Sequence, residues 1–208
     1  EMPNVQTIGY EAFSGCSSLT IVKMPSAQAV DNRTFYECIS LTSVEMSNIR
    51  TISGSAFESC TSLKDVKMIR VQKIDSCAFY GCNSLMAVEM PNVQTIGNAA
   101  FYGCTSLTIC NMPNVQTIEF EAFYGCKSLS EFIIADNNGL YYADGGILYN
   151  KAKTVLLCYP SAKGDITISD SVKIIQTCAF PGCDLLTSVN MPNVQEIEWC
   201  AFEYCNDL

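Results

Sequence analysis

A phenylalanine recurs every 22 residues along this chain, and that period constrains the fold more than any other feature of the sequence. The interval is broken once, where 57 residues separate two successive copies. A cysteine follows each phenylalanine by three residues, and a leucine follows by six. A period in the twenties with recurrent leucines predicts a solenoid whose stacked coils bury a shared core. The repeated phenylalanines are Phe13, Phe35, Phe57, Phe79, Phe101, Phe123, Phe180 and Phe202.

One full coil runs from Leu85 to Ser106. Leu85, Val88 and Met90 form the L-x-x-L-x-L opening of a leucine-rich repeat, and their alternation with polar neighbours predicts a short strand. A second short extended piece is predicted at 93–96, after which a tight turn, often aided by glycine, leads into the next coil. We therefore predict a leucine-rich-repeat solenoid that is mainly β, with one short parallel strand per coil and tight turns or short 3-10 segments between strands. The eight phenylalanines and their eight cysteines should be buried.

The run from Ala100 to Ile118 reads A-F-x-x-C-x-S-L-x-x-V-x-M-P-x-V-x-x-I almost intact, with Cys110 in the valine position. In this pattern the chain resembles the BspA-like leucine-rich repeats over nearly its whole length. That family is known from surface-exposed or secreted proteins of anaerobic bacteria and mucosal protists, and some members are implicated in adhesion to host matrix proteins and other cells. The resemblance implies an extracellular or cell-surface location, but it transfers no ligand-binding residues.

The 57-residue interval is the most distinctive part of the chain. Turn sequences at 136–139 and 144–146 and apolar runs at 147–149 and 154–159 predict a hairpin. The D-G-I-L-Y-x-K pattern resembles long repeats of the same family. We expect a single domain over 1–208, with regular repeats (1–134), one long hairpin-bearing repeat (135–165) and further regular repeats (166–208). Both ends cut through a repeat, so we expect a fragment of a longer parent.

Composition excludes several classes of partner. The formal net charge is −9, and a nucleic acid or an anionic membrane would require a positive footprint. No apolar run approaches the ~18 residues needed to span a membrane. We therefore expect no nucleic-acid partner and no membrane insertion. The acidic turn near 144 lacks the spacing of a calcium-binding EF-hand and is predicted to be structural.

The chain has 13 cysteines, which raises the question of disulfides and metals. A zinc site needs clustered cysteines and commonly histidine, whereas this chain has no histidine and no C-x-x-C. We expect the repeat cysteines to be reduced packing groups that bind no metal, and we predict no cofactor. Cys178 and Cys200 should lie one coil apart; a bridge between them stays open, although free thiols are preferred because a bridge demands facing Cβ vectors.

Several surface columns are candidates for binding. A tyrosine follows the core phenylalanine in four coils, three of them consecutive, and such a row is either a protein-contact surface or aromatic cover of the turn edge. A charged column on the first strand alternates in sign, which favours stack register as much as a ligand. The candidate contacts are Tyr80, Tyr102, Tyr124, Tyr36, Lys67 and Glu89.

Two further columns have mainly structural interpretations. Recurrent glutamines on the second strand predict a ladder of side-chain amides that bond to one another along the stack. A basic cluster in two successive coils is either solvated surface or a charge-selective docking patch. The glutamines are Gln6, Gln28, Gln72, Gln94, Gln116 and Gln195, and the basic residues are Arg50, Lys64, Lys67, Arg70 and Lys73.

These features together predict a non-catalytic binding or adhesion module, at the cell surface or secreted, whose partner is a host or neighbouring-cell protein or glycan. The alternative is a stiff spacer that projects other domains from the cell surface. An enzyme is not expected, because no histidine is available to pair with cysteine or serine and buried thiols lose reactivity. No catalytic residue is predicted.

Overall fold

The computed structural model describes residues 1–208 and contains nineteen short strands. The chain has no helix of the length and apolarity that a membrane crossing requires. In chain order the strands are β1 (Thr7–Ile8), β2 (Ile21–Lys23), β3 (Ala29–Val30), β4 (Ser43–Glu45), β5 (Thr51–Ile52), β6 (Asp65–Val66), β7 (Lys73–Ile74), β8 (Ala87–Glu89), β9 (Thr95–Ile96), β10 (Ile109–Asn111), β11 (Thr117–Ile118), β12 (Glu131–Ile133), β13 (Tyr141–Asp144), β14 (Ile147–Asn150), β15 (Val155–Cys158), β16 (Gly164–Thr167), β17 (Ile174–Ile175), β18 (Leu186–Asn190) and β19 (Glu196–Ile197).

Successive coils pair in parallel, with equivalent residues directly opposite one another. The second strand of each of the first six coils joins one sheet, in the order β1-β3-β5-β7-β9-β11. Ile52 lies opposite Ile74, and Ile74 lies opposite Ile96. The side chains of these isoleucines are buried while the residue before each stays at least partly exposed. This register confirms the predicted parallel solenoid.

The sheet formed by the first strands is divided, although the sequence predicts a continuous stack. Its two halves are β2-β4-β6 and β12-β10-β8. At three of the four intact steps a hydroxyl also ties one coil to the coil before it, as where Thr42 Oγ1 donates to Thr20 O and Thr108 Oγ1 donates to Met86 O, both at 2.9 Å. The step from β4 to β6 pairs without one, through Lys64 N–H to Thr42 O. On the two sides of the division the same column holds Lys64 and Met86, which have no hydroxyl to donate.

The repeated phenylalanines form the centre of the core. The rings from Phe13 to Phe101 stack with neighbouring centroids 5.3 Å apart. The six inner phenylalanines are buried, as predicted. Phe13 and Phe202 are only partly buried, Cys16 is exposed and Cys205 is partly buried. The expectation of complete burial is wrong for these two coils because each is covered from one side only.

The repeat cysteines do more than fill space. The Cys82 thiol donates to Phe57 O at 3.1 Å, and the Cys104 thiol donates to Phe79 O at 3.2 Å. The same bond recurs along the stack and ties each coil to the preceding one. The packing role predicted from sequence is therefore joined by a hydrogen bond that requires a protonated thiol.

The long repeat contains the predicted hairpin and one strand more. β14 and β15 pair antiparallel, as expected, and β13, which was not predicted, pairs antiparallel with β14. β15 then pairs in parallel with β17 and returns the chain to the stack. Tyr159 takes the phenylalanine position, since its N–H donates to Ala179 O at 2.7 Å as Phe101 N–H donates to Ala122 O at 2.8 Å. With Tyr159 the aromatic column has nine members.

Candidate binding surface at the turn edge

The turn that carries the core phenylalanine has the same irregular backbone conformation in each regular coil. The residue two before the phenylalanine has a left-handed backbone without being glycine, with φ of 55° at Ser55, 57° at Cys77 and 51° at Ala99. Such a conformation is unfavourable for these residues and persists only where the surroundings fix it. Here the fixing bonds run between coils, for example from Cys77 N–H to Asn98 O at 2.9 Å.

The tyrosines that follow three consecutive phenylalanines form a stacked row. The ring centroids of Tyr80 and Tyr102 lie 4.6 Å apart, and those of Tyr102 and Tyr124 lie 4.7 Å apart. No protein atom accepts from or donates to the hydroxyls of Tyr80 and Tyr102. Burial, together with the neighbouring Tyr80 hydroxyl, raises the pKa of Tyr102, so its hydroxyl stays a donor at neutral pH.

Fewer tyrosines of this row are accessible than the sequence predicts. Tyr124 is only 8% exposed. It faces Pro181 and Cys178 across a cleft formed by the long repeat. Tyr36 lies apart, because Glu58 occupies the same position in the intervening coil. The structure thus leaves Tyr80 and Tyr102 as the accessible pair of the row, with Tyr36 separate and engaged at 3.9 Å by the Arg33 guanidinium.

A second set of exposed aromatic side chains lies three residues before the core phenylalanine, at the equivalent position of three coils. Phe120 is 39% exposed and Trp199 is 70% exposed, and their rings lie 6.2 Å apart. Tyr10, in the first coil, is 61% exposed. The contact between Phe120 and Trp199 skips the two coils between them: one presents Thr177 at the equivalent position, and the turn of the other is shortened. The pair lies beside the cleft that Phe120 lines.

Lys67 and Glu89, the other candidate contacts, lie on opposite sides of the sheet division. Both are exposed, and neither forms an ion pair. Within the half formed by β2, β4 and β6, the same column pairs the Lys23 ammonium with the Glu45 carboxylate at 3.8 Å. A groove of about 510 Å³ separates the two coils and is lined by Lys64, Lys67 and Met86, among others. The predicted alternating ladder of charges is therefore formed only in part.

The prediction that the glutamine side chains bond to one another along the stack is wrong. The glutamine side chains are exposed and make no hydrogen bond, while their backbones pair along the stack, as from Gln94 N–H to Gln72 O at 2.8 Å. A column of asparagines, which the sequence analysis did not single out, supplies the side-chain bonds. Asn92 Nδ2 donates to Ile69 O at 2.6 Å, and Asn114 Nδ2 donates to Pro91 O at 2.7 Å.

The thirteen cysteines, Cys178 and Cys200 included, are unpaired. No group of three or more cysteine or acidic side chains is placed to hold a metal ion. Burial raises the pKa of the Cys104 thiol to about 12 and that of the Cys38 thiol to about 11. These thiols stay protonated at neutral pH, which suits donors inside the stack.

The coil register, the stacked phenylalanines and the L-x-x-L-x-L strands define the chain as a leucine-rich-repeat solenoid. A model of the BspA type leucine rich repeat region matches it in six copies, over residues 1–83, 68–155 and 157–208. The chain belongs to the BspA-type leucine-rich repeat family. No curated protein matches it at a significant level.

Solved structures of bacterial proteins share the fold. A leucine-rich repeat protein from Eubacterium ventriosum is 25% identical, with a TM-score of 0.75 over 88% of this chain and 51% of that one. A leucine rich cell surface protein from Faecalibacterium prausnitzii is 26% identical, with a TM-score of 0.60 over 94% of this chain and 65% of that one. The pneumococcal vaccine antigen PcpA shares the fold at 16% identity, with a TM-score of 0.63 over 98% of this chain and 54% of that one. The chain thus spans between half and two thirds of the length of these relatives.

Proposed function

We propose that this chain is a non-catalytic binding module, secreted or displayed at a cell surface, that contacts a partner protein through Tyr80 and Tyr102. The observation that supports this is a stacked tyrosine pair with unbonded hydroxyls on a set of turns that also exposes Phe120 and Trp199. Aromatic residues with a polar tip are enriched at protein interfaces and contribute much of their binding energy. The description of one relative as a cell surface protein supports the proposed location.

The stacking geometry favours a protein over a glycan at the tyrosine row. Tyr102 is stacked between Tyr80 and Tyr124, so both faces of its ring are covered and only its edge and hydroxyl reach outward. A sugar that binds by lying flat on an aromatic ring needs a free face. A protein partner needs only an apolar edge beside a hydrogen-bonding group, and the row provides both.

The alternative is a spacer that holds other domains away from the cell. The stack of rings from Phe13 to Phe123 and the bonds between coils would make such a rod stiff. A spacer makes no use of unbonded tyrosine hydroxyls, so the two functions differ in their response to substitution at the edge.

Adhesion of the purified chain to immobilised matrix proteins and to epithelial cells tests the proposal. The double variant Tyr80→Ser, Tyr102→Ser should lose most of the binding while keeping the parent's thermal stability to within a few degrees, because both side chains are partly exposed. The matched control is Tyr10→Ser, which removes an exposed tyrosine from the first coil. A double variant that adheres as well as the parent, while Lys67→Ala with Glu89→Ala abolishes adhesion, would place the contact at the sheet division instead. No adhesion by the parent would favour the spacer.

A further inference from the structure

The row of turns that carry the core phenylalanines has a gap at the long repeat, because the turn of that repeat is shorter than the others. In a regular coil five residues lead from the buried aliphatic to the aromatic column, as from Ile96 to Phe101. In the long repeat Leu156 pairs with Ile175 in the aliphatic column, and Tyr159 follows only three residues later. The turn is two residues short and has no left-handed residue at the usual place. A cleft of about 120 Å³ opens where the missing turn would lie.

The cleft leaves backbone groups without partners. In the coil before it, Ala99 N–H donates to Phe120 O at 2.9 Å, Phe101 N–H to Ala122 O at 2.8 Å, and Gly103 N–H to Tyr124 O at 2.7 Å. Each of the four earlier coils makes the same three bonds to the coil that follows it. In the next coil the equivalent N–H groups find no acceptor in the protein. They belong to Glu121, Phe123 and Gly125.

The opposite side of the cleft lacks the complementary donors. Tyr159 N–H donates to Ala179 O, which is the middle bond of the usual three. The carbonyls of Thr177 and Pro181, which would take the two outer bonds, receive none from the protein. Buried backbone groups of a folded protein are almost always paired with protein, water or ligand. The cleft therefore lacks the backbone donors and acceptors that a regular coil would supply to its two sides.

The rest of the lining defines what could supply those partners. The floor is apolar and includes Phe123, Leu148 and Leu157. Glu121 lines the cleft and forms no ion pair. Burial, and after it the negative charge of Glu203, raises the pKa of Glu121. The neighbouring acids are already engaged, since Glu119 accepts from Asn98 N–H and Glu198 accepts from Thr177 N–H, each at 2.9 Å. The rim thus carries uncompensated negative charge.

We propose that the cleft binds a short peptide segment of a partner protein, with small central residues and a lysine or arginine on at least one side. Its carbonyls accept from the N–H groups of Glu121 and Phe123, and its N–H groups donate to Thr177 O and Pro181 O. The basic side chain pairs with Glu121 and Glu203. Because the equivalent turns need a left-handed residue, glycine or asparagine is favoured in the centre of the segment.

The size of the cleft argues for such a segment and against a larger ligand. Pockets for drug-sized molecules occupy roughly 300 to 1,000 Å³, well above the volume here. Only the backbone of one or two small residues can enter a cleft of this size, and binding of a strand-like segment to unpaired backbone groups is a general mode of peptide recognition. This inference rests on the proposed binding function, but it concerns a site different from the Tyr80 and Tyr102 pair.

Two synthetic probes test the proposal on the ¹⁵N-labelled chain: Ac-Lys-Asn-Gly-Ala-Lys-amide and the matched Ac-Glu-Asn-Gly-Ala-Glu-amide. The lysine peptide should shift the amide resonances of Glu121, Phe123 and Gly125 with saturation, and the glutamate peptide should bind at least roughly tenfold more weakly. Glu121→Gln should weaken the lysine peptide severalfold. Insertion of Gly-Asn between Leu157 and Cys158 restores the regular spacing and should abolish binding.

Any of four results would overturn the proposal: no shift of these amides with the lysine peptide, equal binding of both peptides, equal binding by Glu121→Gln, or shifts confined to another surface. If the insertion variant fails to fold, the Glu121→Gln comparison still decides. The variant Tyr80→Ser, Tyr102→Ser should bind the lysine peptide as the parent does. Loss of adhesion in that variant with no peptide binding by the parent would refute this inference and leave the proposed function standing.

Discussion

The rings of Phe79 and Phe101 stack with their centroids 5.3 Å apart and their planes 3° from parallel. Both side chains are completely buried. Each ring contacts the equivalent ring of the coil on either side, so a smaller side chain in its place would leave a cavity between two rings. The aromatic stack therefore couples the stability of each coil to that of its neighbours.

Replacing Phe101 by alanine should lower the free energy of unfolding by about 3 to 5 kcal/mol, because it removes buried apolar area and leaves a cavity. The matched control is Phe13→Ala in the first coil, where the ring is only partly buried and stacks on one neighbour. Its loss should be clearly smaller. Urea denaturation followed by circular dichroism measures both. Equal losses would mean that the stack does not carry the stability assigned to it.

The buried columns could be predicted because a fixed period places identical residues on top of one another. The period does not specify which side chains bond between coils. Gln94 and Asn92 recur equally well in the sequence, yet only the asparagine reaches the carbonyl of the preceding coil. Gln94 lies just before β9, where its side chain points to solvent and its backbone N–H is already paired with Gln72 O. The sequence did not predict that Tyr159 belongs to the aromatic column, because the shortened turn moves it away from the 22-residue spacing. Tyr159-x-x-Ala162 nevertheless mirrors the Phe-x-x-Cys pattern.

The buried thiols should make the protein sensitive to alkali. Burial raises the pKa of Cys104 to about 12 and that of Cys183, where Cys205 adds to the effect, to about 12. At a pH above about 9 the unfolded chain loses thiol protons that the folded chain keeps, so the free energy of unfolding falls as pH rises. Each fully buried thiol should cost about 1.4 kcal/mol at one pH unit above its unfolded pKa. Urea unfolding at pH 7 and pH 10, in the presence of a reductant, measures the difference.

Cys110→Val is the control for that dependence. Cys110 is buried in a column that otherwise holds mainly valine, and its thiol donates no hydrogen bond. Burial raises the pKa of Cys110 well above its usual value. The variant should match the parent at pH 7 and be more stable than the parent at pH 10. A parent whose stability is the same at both pH values would contradict the assignment of buried, reduced thiols.

The asparagine column should contribute to stability where the glutamine column does not. Asn92→Ala removes a side-chain bond of 2.6 Å to Ile69 O and should cost about 0.5 to 1.5 kcal/mol. Gln94→Ala, two residues away in the same coil, removes an exposed amide with no bond and should stay within about 0.5 kcal/mol of the parent. Chemical denaturation of the two variants compares them directly. A larger loss for Gln94→Ala would restore the amide ladder predicted from sequence.

The site is predictable to a smaller extent than the fold. The spacing of the tyrosines gives their alignment, and Tyr80 and Tyr102 do lie stacked at the surface. Sequence spacing could not show that Tyr124 is covered, because the covering residues come from beyond the irregular repeat. Nor could it show that Lys67 and Glu89 face each other across an opening. Both depend on where the ladder is interrupted, which is a property of several neighbouring coils together.

The interruption between β6 and β8 should close when a hydroxyl is restored. Met86 is 55% exposed and occupies a column in which Thr42 and Thr108 donate to the coil before them. Met86→Thr places a hydroxyl within the usual reach of Lys64 O and sacrifices little buried area. One such bond contributes about 1 kcal/mol, which lowers the equilibrium constant for local opening roughly fivefold. Hydrogen exchange of the amides from 87 to 90 should slow by about that factor.

Met86→Val separates the hydroxyl from the shape of the side chain, because valine matches threonine in size and branching but donates nothing. Valine should leave exchange at 87–90 close to that of the parent, apart from its modest preference for strands. If valine protects these amides as well as threonine does, strand propensity explains the division and the hydroxyl column does not. If neither substitution slows exchange, the missing hydroxyl at residue 86 does not explain the division, and Lys64→Thr tests whether the side chain on the other side of the division does.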